Sequence, residues 1–180
     1  MRELATAERI RRLMEALGRA ARAEGRAYFT GGATAVLIGW REATIDVDLK
    51  LVPEQDAVLR AIPRLKDELR INVELASPAD FIPVPAGWED RSVFVAMTGR
   101  LSFFHFDLYA QALSKVERSH QQDLADVREM IDRKLVDGTR ALEYFKRIEP
   151  ELYRYPAIHA PSFRRAVEEI LGRGKGRPDS

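Results

Sequence analysis

The chain of 180 residues contains no cysteine. That excludes disulfides, thiol chemistry and cysteine-based zinc sites. It also lacks any excess of charge: 29 basic residues stand against 28 acidic ones, a net charge of +1. No global field draws it to nucleic acid, so any basic patch must be local. No stretch approaches the ~18 consecutive apolar residues of a membrane-spanning helix. The first residues are charged and amphipathic rather than apolar as in a signal peptide, so the expected compartment is the cytoplasm. Lysine is scarce as well. Of the 29 basic residues only six are lysines: Lys50, Lys66, Lys115, Lys134, Lys146 and Lys175. In so arginine-rich a chain, Lys50 and Lys115 draw notice. There is no internal repeat. What is present in quantity is apolar surface, 46% of residues, ample for a core at a length that fits one domain with a helical appendage.

Periodicity orders the chain. Residues 6–23 carry Ile10, Leu13, Met14, Leu17 and Ala21 at helical spacing with arginines opposite, ending at Gly25. A short buried strand is predicted over 27–30, a helix over 33–38 after Gly31-Gly32, and a strand over 44–51. A helix follows over 54–70, kinked or split by Pro63, then a strand over 71–76. Helix and strand alternate, which predicts a mixed α/β layer. Residues 77–91 form a long loop rich in proline and aromatics, pinned by Phe81 and Trp88 or contacting substrate. Strands over 92–98 and 101–107 meet at a Gly99-Arg100 hairpin. Beyond them the chain reads as helices: 108–117, then 123–135 as a continuation or a second helix with Gly138 as a stop, then 139–148, 150–154 and 161–171. Residues 172–180 read as a frayed tail. The expected division is a core over 1–110, a helical segment over 111–171 packed on that core, and the tail.

The organising stretch is Tyr28 to Leu51. In a strand over 45–51, alternation puts Asp46, Asp48 and Lys50 on one face. Ile45, Val47, Leu49 and Leu51 take the other face, toward a core. Two adjacent carboxylates repel and are costly to desolvate unless a cation sits between them. Mg²⁺ (or Mn²⁺) is the ion that suits them. Lys50 on the same face is the competing, purely structural neutraliser. Gly31-Gly32 lets backbone approach an anion closely, or is a plain strand-to-helix turn. On the next strand Glu74 lies between Val73 and Leu75. If the two strands are parallel neighbours, Asp46, Asp48 and Glu74 share one edge face, the carboxylate set of two-metal phosphoryl transfer. Arg41 pairs either with phosphate or with Glu42 or Asp46. His105 reads as structural, and His120 as a loop cap.

The spacing Gly31-Gly32, Asp46-Val-Asp48-Leu49, Val73-Glu74-Leu75 resembles the nucleotidyltransferase fold of the DNA polymerase β superfamily. Within it, Phe29-Thr-Gly-Gly-Ala-Thr-Ala and Arg41-Glu-Ala-Thr-Ile-Asp-Val-Asp look most like the bacterial minimal nucleotidyltransferase-like proteins. That group includes nucleotidyltransferase toxins of abortive-infection toxin–antitoxin systems. The resemblance covers roughly residues 5–135 and extends to Lys115 followed by Gln122-Asp123-Leu-Ala-Asp126. It departs from the pattern at Gly32, where many members have serine, at Glu74, where aspartate is commoner, and at Gln122, which is not basic. The resemblance implies an α/β (α+β) fold with a small mixed sheet and a C-terminal helical segment. It implies NTP·Mg²⁺ bound by Asp46, Asp48 and Glu74, with Thr30, Gly31, Gly32, Thr34, Arg41, Lys115 and Asp123 around the nucleotide. Lys115 would reach phosphates as a point charge, and Asp123 would orient it or a ribose. The implied activity is transfer of a nucleoside monophosphate to a hydroxyl of RNA, protein or a small molecule, with an antitoxin or other protein as partner and no membrane. A catalytically inactive binding or regulatory module on the same fold is the alternative.

Overall fold

The computed structural model describes residues 1–172. The chain forms two compact units. One comprises Met1–Ser77 and Ser92–Phe106; the other comprises Pro78–Arg91 and the chain from Asp107 on. Among the described residues no helix is long and apolar enough to cross a membrane.

The first unit is built on a five-stranded mixed sheet. Its strands are β2 (Gly25–Thr30), β4 (Asp46–Val52), β5 (Asn72–Leu75), β6 (Val93–Thr98) and β7 (Leu101–His105), in the order β5-β4-β2-β7-β6. β2 runs antiparallel to β4 and parallel to β7; β4 and β5 are parallel. Three helices accompany it: α1 (Ala7–Ala20), α2 (Gly32–Ile38) and α3 (Asp56–Leu69). Ile10, Leu13 and Leu17 of α1 and Val58, Ile62 and Leu65 of α3 share one buried cluster with Ala27, Phe29, Val47, Leu49, Val73 and Phe103 of the sheet. Each of the larger of these side chains contributes roughly 1.5–3 kcal/mol by leaving water. The opposite sheet face carries an aromatic row. Tyr28 stacks on Phe104 at 5.3 Å, and Phe94 meets Phe104 edge-on at 5.7 Å.

Several boundaries differ from the sequence reading, each for a local reason. α1 stops at Ala20 because Gln55 captures the chain beyond it: its side-chain oxygen accepts from the amides of Arg22 and Ala23, and its amide donates to Ala23 O. The strand expected over 44–51 is broken. Ala43–Thr44 (β3) pairs instead with a two-residue strand, Ala5–Thr6 (β1), and β4 begins only at Asp46. Ile45, expected to face the core, sits at the break and is 71% exposed. Val47, Leu49 and Leu51 are buried as expected. Leu75, which alternates with Val73, lies at the end of the edge strand β5 and is exposed. Pro63 does not split α3, which runs unbroken from Asp56 to Leu69.

His105 illustrates the inward face. Its Nδ1 lies 3.1 Å from the hydroxyl of Thr34, which donates to Phe29 O. Burial holds its pKa down at about 4, against an ordinary 6.5. The unfolded chain therefore protonates His105 at a higher pH than the folded chain does. Its contribution to stability is complete above about pH 6.5 and is lost as pH falls toward 4, amounting to about 3 kcal/mol. Urea unfolding of the parent and of His105→Gln between pH 7 and pH 4 is expected to show a shallower loss in the variant. Identical pH slopes would refute the assignment.

The second unit gathers α4 (Trp88–Arg91), α5 (Leu108–Arg118), α6 (Gln121–Asp132), α7 (Gly138–Ile148) and α8 (Ala160–Leu171). Residues 77–91 are not a bare loop: a 3₁₀ turn at Pro78–Asp80 and α4 lie within them. Their buried apolar anchor is Ile82, whereas Phe81, expected to pin the segment, is exposed. Arg91 fastens the segment's end. Its guanidinium donates to Asp107 at 2.9–3.0 Å and lies 4.4 Å over the ring of Tyr144. Asp107 in turn caps α5 by accepting from Tyr109 N. α5 and α6 are separate helices, because Ser119 turns the chain through a left-handed residue with φ of 56°. His120 takes the position before α6 but makes no side-chain cap. Gly138 opens α7 rather than stopping a helix, with Asp137 as its cap. The expected tail lies, apart from Gly172, outside the described residues.

Candidate functional site

The first unit assembles most of the sequence-predicted site residues on the sheet face away from the helical core. Asp46 and Asp48 project from β4 and are half-buried. In the parallel β4–β5 register Asp46 stands opposite Asn72, and Asp48 opposite Glu74. The Asn72 amide donates to Asp46 Oδ1 at 2.8 Å and to Glu74 Oε1 at 2.9 Å. It thus bridges two of the three acids. Asn72 carries no role in the sequence reading; its position two residues before Glu74, on the same strand face, is the signal that marks it. Glu74 itself is exposed. The side chain of Lys50, the competing neutraliser, makes no ion pair or hydrogen bond with a described residue, so it is not clamped between the two aspartates.

The turn after β2 lies against this face. Thr30, the last residue of β2, pairs with Asp48 in the antiparallel register. Gly31 follows with φ of 62° and ψ of −131°, a conformation reserved for glycine. A Cβ at Gly31 would lie 3.3 Å from Asp48 Oδ2, so the turn lies close beside that carboxylate. At Gly32 the reason for glycine is different. A Cβ there would fall 2.6 Å from Thr44 Cβ, closer still to the Thr44 hydroxyl, and 3.3 Å from Arg41 Nη1. Thr44 and Arg41, on the segment leading into β4, thus converge on the turn. The Thr44 hydroxyl donates to Asp46 O at 3.2 Å. Thr34, expected at the nucleotide, is fully buried; its hydroxyl donates to Phe29 O and lies 3.1 Å from His105 Nδ1.

Lys115 and Asp123 belong to the second unit, where they form a buried cluster with Asp126. Lys115 Nζ donates to Asp126 Oδ2 at 2.8 Å and lies 3.6 Å from Asp123 Oδ1. Asp123 also accepts from Arg118 at 2.7 Å, and Asp126 from Gln122 at 3.3 Å. Both aspartates and the lysine are almost wholly out of water. Gln122 stands where the resembling group has a basic residue, and here it serves as a neutral donor to Asp126.

The family comparison bears on the same stretch of chain. A model of proteins described as nucleotidyltransferase of unknown function (DUF6036) matches residues 8–149, well over half of the chain. The chain belongs to this family. The matched span takes in both β4–β5 with its acids and the α5–α6 cluster. The mixed sheet and its flanking helices are the α/β architecture expected of a nucleotidyltransferase-like family. No curated protein and no solved structure matches the chain.

Whether the residues of this DUF6036 member suit a metal ion follows from the donor set. Among the described residues no three acidic or histidine side chains are arranged to hold one. The Asn72 amide stands between Asp46 and Glu74. Two neighbouring carboxylates remain, Asp46 and Asp48. Mg²⁺ commonly needs no more from the protein, since it completes its shell with water and substrate phosphate oxygens. The donor set fits a phosphate-bound Mg²⁺ rather than an ion caged by protein alone.

Proposed function

We propose that this protein is a metal-dependent nucleotidyltransferase that moves a nucleoside monophosphate from an NTP to an acceptor hydroxyl. The observation that carries the reading is the meeting of Asp46, Asp48 and the Gly31–Gly32 turn on one sheet face, with Glu74 on the adjoining parallel strand. Family membership supports the coarser statement of a nucleotidyltransferase.

In this reading Asp46 and Asp48 would hold Mg²⁺ (or Mn²⁺), and the ion, when bound, would supply charge neutralisation at the triphosphate. The Gly31–Gly32 backbone, Thr30 and Arg41 orient the phosphates. The acceptor oxygen forms a bond to the α-phosphorus. The bond from that phosphorus to the bridging oxygen breaks, and its electron pair leaves with pyrophosphate. The hydroxyl proton passes to Glu74, whose carboxylate Asn72 steadies at one oxygen. Glu74 is alternatively the ligand of a second ion. Lys115 is assigned to the nucleotide phosphates as a point charge, and Asp123 to orienting it. The resemblance to toxins of toxin–antitoxin systems points to an RNA acceptor such as a tRNA end and to an antitoxin partner in the cytoplasm. A protein hydroxyl or a small molecule is compatible with the same chemistry.

Calorimetric titration with each of the four NTPs, with and without Mg²⁺, tests the binding half of the reading. At least one NTP is expected to bind only with the ion present, with affinity in the roughly micromolar to millimolar range of enzyme substrates. No binding of any NTP would reject the reading in favour of the non-catalytic module, and the next step would be capture of its partner protein.

A further inference from the structure

We infer that the sheet face carrying Asp46 and Asp48 also holds the acceptor, and that the acceptor is a single-stranded nucleic acid with a base stacked on Phe94. Arg26 and Lys50 take its phosphates. The inference rests on the nucleotidyl-transfer reading of the aspartate site and names the substrate class which that reading leaves open.

Strand pairing lays the surface out. Lys50 of β4 stands opposite Tyr28 of β2, Tyr28 opposite Phe104 of β7, and Phe104 opposite Phe94 of β6. These four residues form one row across the sheet. Asp48 lies two residues from Lys50 and so shares its face. The row opens toward its far end: Tyr28 is buried, Phe104 half-buried and Phe94 59% exposed. Met97, paired with Ser102, lies beside it on the same face and is equally exposed. β6 is an edge strand without a charged residue. An aromatic ring and a thioether exposed side by side on such a strand mark a contact surface rather than a core.

Charge decides the occupant. Arg26 is exposed, two residues before Tyr28, and its guanidinium lies 5.7 Å from the centre of the Phe104 ring. The Lys50 side chain makes no ion pair or hydrogen bond with a described residue. Cations interleaved with aromatic rings are the pattern that takes single-stranded nucleic acid, whose bases stack while its phosphates meet the cations. A chain with a net charge of +1 exerts no general pull on nucleic acid, so the attraction comes from such a local set. An apolar protein partner would use Phe94 and Met97 but would leave Arg26 and Lys50 without a task. Phe94 stands three strands from β4, roughly 14 Å away at the usual spacing between strands. A few nucleotides cover that distance, so a strand with one base on Phe94 brings its end within reach of the aspartates.

The test is fluorescence anisotropy with a labelled single-stranded RNA of about 12 nucleotides, a length within the usual site size. It is run on the full chain without NTP, with thermal unfolding as the check on folding. Phe94→Ala is expected to weaken binding about tenfold, as loss of one stacked base does, and Phe94→Trp to bind within about threefold of the parent. Arg26→Gln and Lys50→Gln are each expected to flatten the slope of log affinity against log salt by about 0.7, which loss of apolar packing alone does not do. The NTP·Mg²⁺ affinity of Phe94→Ala and of Arg26→Gln is expected to match the parent's. Phe94→Ala binding RNA as the parent does, or unchanged salt slopes in both cation variants, overturns the inference. So does a parent that binds NTP·Mg²⁺ but not the RNA, the result expected of a surface made for a protein partner; the aspartate site then stands. A parent that binds the RNA through Phe94 but binds no NTP rejects the transfer reading and leaves the nucleic-acid site.

Discussion

Replacing Asp48 by asparagine is expected to cut nucleotide transfer by about a thousandfold or more while shifting the thermal midpoint by only a few degrees. The two halves of that expectation have different origins. Asparagine matches aspartate in shape, so the β4 backbone, its pairing with Thr30 and Glu74, and the close approach of Gly31 are all kept. What is lost is one negative charge from a pair of half-buried carboxylates. In the proposed reaction that charge holds a divalent ion against the triphosphate. The ion supplies several kcal/mol of transition-state stabilisation, and about 4 kcal/mol corresponds to roughly a thousandfold in rate. Labelled NTP, followed into any acceptor fraction with pyrophosphate release as the second readout, measures it. Transfer at the parent rate by a folded Asp48→Asn protein would reject the assignment of the site. A folded Asp46→Ala variant is held to the same standard.

The second large effect is on stability and lies in the other unit. Asp126→Ala is expected to cost about 3–5 kcal/mol, because it leaves Lys115 buried without its closest counter-ion. Asp123 cannot replace it. That carboxylate is 3.6 Å from Lys115 Nζ and is already shared with Arg118 at 2.7 Å. Asp126 is fully buried, so water does not enter to compensate without opening the contact between α5 and α6. For a chain of this size the loss corresponds to a fall of roughly 10 °C in midpoint. Differential scanning calorimetry reads it directly. A shift of only 1–2 °C would mean that the lysine finds water or another acid, and that the cluster is weaker than its burial implies. The cluster also qualifies the role that the resemblance gives to Lys115. Its amine is committed to Asp126 before any nucleotide arrives, so a phosphate contact there must compete with an existing buried ion pair.

The site was legible in the sequence to the extent that strand alternation governs it. Asp46 and Asp48 share a face because their spacing is two, and no packing detail changes that. Val47 and Leu49 are buried for the same reason. The rule failed at its ends. Ile45 obeys the alternation on paper, but the chain changes sheets there, leaving β3 to pair with β1 before β4 begins. Two-residue strands carry no periodic signal, so neither was predicted. Leu75 alternates correctly but lies at the end of an edge strand, where nothing covers it. Thr34 was expected beside the nucleotide because it follows the glycine pair; the helix it sits on turns its side chain inward. Asn72 has no role legible in the sequence, since an amide between two carboxylates is visible only once the strands are paired. The proximity of Thr44 to Gly32 joins residues twelve apart that only the fold brings together.

By itself the sequence determined the class of fold, the core face of each long element and the spacing of glycines and acids that resembles a nucleotidyltransferase. These follow from local periodicity and backbone preference, which are properties of short stretches of chain. Only the tertiary structure decided that β4 and β5 are parallel, that residues 78–91 belong with the helices rather than with the sheet, and that Lys115 is paired with Asp126. It also decided that Gly32 is glycine because Thr44 occupies the space beside it. Each of these depends on which distant groups meet. Burial and pairing energies settle that over the whole fold, and no window of sequence contains them.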